Sequence, residues 1–122
     1  MNTGVTVTFE RPDGNRLVAR LREGRTETDA TGWNPEQSAA HLLAALDAAQ
    51  AEGHGECFWP EPTGHYWWMF SRVDERLEVA VLWSRSSAVG WQHVFRATDE
   101  VTYVRDMMRN ELAKAGFSTS AH

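Results

Sequence analysis

Apolar and polar residues alternate one for one at the start of the chain, with Val5, Val7 and Phe9 set against Thr6, Thr8 and Glu10. A period of two is the signature of a strand with one dry face. Leu17, Ala19 and Leu21 repeat the pattern against Arg16, Val18, Arg20 and Arg22, and Pro12-Asp13-Gly14 lies between as a turn in which glycine can take the left-handed conformation. A three-residue loop would pair Phe9 with Leu17, Val7 with Ala19 and Val5 with Leu21, and set Glu10 opposite Arg16. A two-residue loop would mix the two faces. Residues 23–33 then read as a polar connection.

The period changes after Trp33. Asn34 is a capping residue, Pro35 suits the first helical position, and Gln37 stands where a capping box wants Glu or Gln. Ala39, Leu42, Leu43, Leu46 and Ala49 recur at helical spacing until Gly53. Residues 53–65 are the least regular stretch, with Cys57-Phe58-Trp59 as a short edge strand ended by Pro60 and Pro62. Residues 65–72 and 77–85 form the next two strands, and a turn at Asp74-Glu75 pairs Phe70 with Val79, Trp68 with Val81 and Tyr66 with Trp83. The opposite face pairs Trp67 with Leu82, Met69 with Ala80 and Ser71 with Glu78. A strand over 91–96 follows the 86–90 connection. A last helix opens at Thr98 as cap, buries Val101, Val104, Met108, Leu112 and Ala115, and ends at Gly116 with Phe117 pressed on Leu112. The pattern predicts one α+β domain spanning 1–122, in the order ββαβββα. Its antiparallel sheet has about five strands, with both helices packed on one face.

Composition narrows the function classes. Seventeen acidic residues against twelve basic ones give a net charge of −5. Such a balance, with scattered arginines, argues against nucleic acid, which needs clustered cations. It favours a basic protein partner over an acidic one. One cysteine, Cys57, excludes an intrachain disulfide. No signal peptide or membrane-length apolar run is visible, so the expected location is cytoplasmic, away from membranes.

Candidate chemistry is sparse. His54, Cys57 and His65 are ligand-capable, but no second ligand pair stands at a zinc-like spacing, so neither a metal nor a cofactor is expected. Cys57 with His65 or His93 has the residue types of a nucleophile and its base, without a motif that fixes their geometry. Paired carboxylates at Glu56, Glu61, Asp99 or Glu100 read as loop and cap residues.

Six tryptophans are the feature that stands out. With both helices on one face, Trp67, Met69, Leu82 and Val94 would form an apolar patch on the other. With Trp59 and Glu61 of the 53–65 segment, they make the predicted contact surface of a non-enzymatic protein that binds a partner or itself. In general shape and charge such a protein resembles the bacterial immunity proteins, which act by binding. The alternative is a small-molecule or catalytic pocket containing Cys57, His65, Trp91 and His93.

Overall fold

In a computed structural model, residues 4–85 and 90–117 are described. Seven strands and two helices follow the order βββαββββα: β1 (Thr6–Asp13), β2 (Arg16–Glu23), β3 (Thr26–Trp33), α1 (Pro35–Glu52), β4 (His54–Glu61), β5 (Gly64–Val73), β6 (Arg76–Ser84), β7 (Gln92–Glu100) and α2 (Val101–Lys114). The strands form two antiparallel sheets, β1-β2-β3 and β4-β5-β6-β7. The α+β class is as the pattern predicts. The single sheet of about five strands is corrected, because both irregular stretches of the sequence are strands.

The first correction is at 23–33. This segment is β3, paired with β2 along its whole length. Its inward positions are Thr28, Ala30 and Gly32, too small to register as an apolar alternation. What holds its outer side is cross-strand charge: Arg20 Nε donates to Asp29 at 3.1 Å, and Arg22 Nη2 to Glu27 at 2.7 Å. The second is at 53–65, where β4 runs straight through Pro60. Proline is tolerated there because β4 is an edge strand.

The first hairpin is also corrected. Phe9 pairs with Ala19 and Val7 with Leu21, two residues from the expected register, and a bulge between Glu10 and Asp13 absorbs the difference. Gly14 has no positive φ. Glu10 meets Arg20 at 3.5 Å instead of Arg16. A shift of two preserves side-chain parity, so the apolar residues still share one buried face. The β5–β6 register is as predicted at each of the six pairs.

Thr98 does not cap α2; it pairs with Glu78 inside β7, and the helix begins only at Val101. Asp99 instead accepts from the Glu100 and Val5 main-chain N–H groups. The far end behaves as expected, with Phe117 N–H donating to the Leu112 carbonyl at 3.0 Å and Phe117 buried. α2 also shields the free edge of β1. Val7 N–H donates to the Met107 sulfur, and Tyr103 Oη donates to the Val5 carbonyl. Edge groups satisfied in this way are not open to pairing with another chain.

The core fills the space between the two sheets and the helices. β3 crosses one end of the second sheet, from Trp59 on β4, which crowds Gly32, to Val94 on β7, whose carbonyl accepts from Thr28 Oγ1 at 3.0 Å. α1 lies directly on β4. At Gly55 the approach is so close that a Cβ would run into the Ala45 carbonyl oxygen. Near the start of the helix, Trp59 Nε1 donates to the Ser38 carbonyl at 3.0 Å. Gly55→Ala must push α1 off the strand. The expected loss is about 3 kcal/mol in chemical denaturation, the upper range for overpacking, and a loss below about 0.5 kcal/mol, the level of neutral surface changes, would contradict this seating.

Candidate functional site

Strand parity divides the second sheet into two faces. Gly55, Cys57 and Trp59 on β4, Trp68 and Phe70 on β5, and Val79 and Val81 on β6 point into the core and are buried. The alternate positions point the other way: Glu56 and Phe58, His65, Trp67 and Met69, then Ala80 and Leu82. Ala80 and Leu82 are buried yet stand outside the main core cluster. Leu82 is the cross-strand neighbour of Trp67, which belongs to a layer of aromatic rings.

That layer is built from three separate elements. Phe58 on β4 and Trp67 on β5 occupy opposed positions and stack, with centroids 5.6 Å apart and planes 18° from parallel. Trp91, just before β7, reaches back to both rings, edge-on to Trp67 at 5.2 Å and tilted against Phe58 at 6.0 Å. Trp67 Nε1 is satisfied by Glu56 Oε1 at 2.8 Å, so its indole is fixed in orientation. Phe58 is 45% exposed, one of the few large apolar side chains so placed. Rings in offset-stacked and edge-on contact hold one another rigid, which lowers the entropy lost on binding.

The predicted surface residues separate on this geometry. Trp67, Met69 and Leu82 do share the reverse face, with Leu82 buried opposite Trp67. Trp59 does not: it is fully buried, tilted against Trp68 with centroids 4.9 Å apart and hydrogen-bonded to α1. Glu61 shares the inward parity of Trp59, near Tyr66, whose hydroxyl is pushed up by burial and then by the Glu61 and Asp29 carboxylates. Val94 also leaves the face. A bulge between Val81 and Leu82 makes His93 the partner of Leu82, and Val94 packs on the core instead. Phe58, the most exposed ring, was missed because the edge strand reads in the sequence as only Cys57-Phe58-Trp59, too short to show its parity, with Trp59 as the outward ring. Extending the Cys57/Trp59 alternation back to Gly55 would have exposed it.

The alternative pocket assembles only in part: His65 and Trp91 line one hollow of about 360 Å³ with Phe58 and Ser84, and Cys57 and His93 stand outside it. Cys57 lies on the inner face, while His65 and His93 are exposed, opposite Pro60 and Leu82 on the outer one. The sheet itself separates the thiol from both imidazoles. His54 is likewise on the outer side, so the His54, Cys57 and His65 trio is not brought together. Among the described residues no three His, Cys, Asp or Glu groups stand close enough to hold a metal ion. Among the same residues no helix is long and apolar enough to cross a membrane.

Burial pushes the Cys57 thiol from 9.0 up to about 12, and the neighbouring Glu56 carboxylate adds to the shift. A thiol held protonated is a poor nucleophile. Because the folded-state value is the higher one, its contribution to stability is complete below pH 9.0 and is lost as pH rises toward about 12. Over that window this group should lower stability by up to ~1.4 kcal/mol per pH unit. Denaturation of Cys57→Ala between these limits should show a slope shallower by that amount, and identical slopes in both proteins would refute the burial argument.

No protein-family model matches the chain, and no curated protein and no solved structure matches it either, so the reading of function rests on the geometry of this face.

Proposed function

We propose that the protein is a non-enzymatic binding module that contacts a protein partner through the outer face of the second sheet. The observation that carries this reading is the Phe58–Trp67–Trp91 layer, an aromatic surface with no secondary-structure element over it among the described residues. A binding anchor of this type combines large apolar area with few rotatable bonds. Glu56 lies at its border, and the whole chain carries a charge of −5, so a partner with basic residues flanking an apolar centre is the complementary surface. Neutralisation of a partner by occlusion, as in immunity proteins, needs no more chemistry than this. The separation of Cys57 from His65 and His93 weighs against a catalytic pocket.

A photocrosslinking residue at position 58 tests the proposal in the native cell. Position 27, on the charged outer side of the first sheet, is the control. Position 58 should yield one defined adduct that position 27 does not, with adduct to a second copy of this chain indicating self-association. Equal patterns from both positions would end the proposal. With the partner in hand, Phe58→Ser should cost about 2 kcal/mol of binding, the scale of a hot-spot anchor, or roughly thirtyfold in Kd by titration.

A further inference from the structure

The outer face borders a second feature, the free edge of β4. Its ladder phase is set by the Arg72 N–H, which donates to the Gly53 carbonyl at 2.9 Å. In an antiparallel pair the hydrogen-bonded positions alternate, so Gly55, Cys57 and Trp59 direct both main-chain groups at β5. Glu56 and Phe58 therefore direct theirs outward. No other strand lies beyond β4 in the sheet, and among the described residues no side chain or loop group bonds these four donors and acceptors. Pro60, the next outward position, lacks an N–H to leave unpaired. The edge of β1 is shielded by α2; this one is open.

α1 forms a wall beside that edge. Gln37, His41, Ala44 and Ala48 share one helical stripe that faces it, and two hollows of about 400 and 260 Å³ run between helix and strand. Both hollows include His41 and Phe58, so they join into one trough, closed at one end by Trp33. The stripe from 37 to 48 is about 16 Å long at the helical rise, which matches about five extended residues. Small alanines along the wall leave room for the side chains of an added strand.

We propose that this trough binds an extended peptide segment of a partner as an extra strand on β4. A second copy of the chain cannot pair there edge to edge. Strands lie about 4.8 Å apart, and each copy carries α1 directly on its own β4, whereas packed helices need about 8–10 Å between axes. A lone segment has no such helix. Its main chain bonds Glu56 and Phe58. Its residue opposite Cys57 turns inward against Ala44 and Ala48 and is apolar. Its residue opposite Phe58 continues the aromatic face. Among the described residues Glu56 is the one formally charged side chain lining the trough, histidines aside, so the residue opposite it is Lys or Arg.

This inference rests on the reading of the protein as a binding module, and it has its own test. The probe is the capped peptide Ac-Thr-Lys-Val-Leu-Val-Lys-Thr-NH2, whose symmetry fits either strand direction. In the free protein the Glu56 and Phe58 amides should exchange with solvent much faster than Cys57 and Trp59, measured by NMR. At millimolar peptide they should become protected by roughly tenfold or more. N-methylation of the leucine and both lysines should abolish that protection. Glu56→Pro, which removes an outward N–H without touching the β4–β5 ladder, should fold and fail to bind. Should that variant unfold, the methylated peptide still decides. Absence of protection, or equal protection by the methylated peptide, overturns strand addition. A position-58 adduct obtained alongside that result would leave the aromatic contact surface standing. Edge protection without any adduct would retire that surface alone.

Discussion

The seat of α1 on β4 is the constraint from which the rest of the structure follows. At Gly55 helix and strand touch main chain to main chain, with no space for a single methyl group. One turn of strand further, Trp59 fills the gap between α1, β3 and β5, and its only polar atom is satisfied by the Ser38 carbonyl. Gly32 gives the same ring access from β3, where a Cβ would fall 2.9 Å from the indole. A large rigid side chain held on three sides fixes the azimuth of its strand. With Trp59 and Gly55 turned inward, a period of two leaves Phe58 and Glu56 only one direction to point.

From this one orientation come both unusual features of the surface. Outward parity puts Phe58 opposite Trp67 at a position where the two strands do not exchange hydrogen bonds, the closer of the two pair types. Stacking of those rings is therefore a consequence of ladder phase. The same phase turns the Glu56 and Phe58 main chain toward solvent. Aromatic layer and open edge are two expressions of a single fact about β4, and any ligand that engages one lies within reach of the other.

The sequence was most legible where apolar residues alternate strongly. Tyr66 to Phe70 against Val79 to Trp83 specify their own register, because any slip by one exposes several large side chains at once. It was least legible where small or charged residues carry a strand. Ala30 and Gly32 bury almost nothing of their own, and β3 is recognisable only through its charge pairs with Arg20 and Arg22, which exist only once β2 is beside it. β4 was obscured by Pro60, read as a breaker although an edge position makes it harmless. The candidate face was readable in part for the same reason. Trp67, Met69 and Leu82 belong to the strong alternation, whereas Val94 depends on a bulge that no local pattern encodes.

An open strand edge is ordinarily a hazard, and this chain treats its two kinds of edge differently. At the entry to β1 the Val5 N–H and carbonyl and the Val7 N–H are bonded by Asp99, Tyr103 and Met107, which commits side chains from β7 and α2. Among the described residues β4 has no such partners, although α1 passes directly beside it with Gln37 and His41 lining the same trough. Two features limit misuse of the exposed edge: Pro60 shortens its run of donors, and α1 denies space to another folded copy by steric exclusion. Neither feature blocks a single unfolded segment. An edge protected against its own kind but left open to a peptide discriminates by shape before any side chain is read, and the apolar hollow over Ala44 and Ala48 adds the selection that main-chain bonds lack.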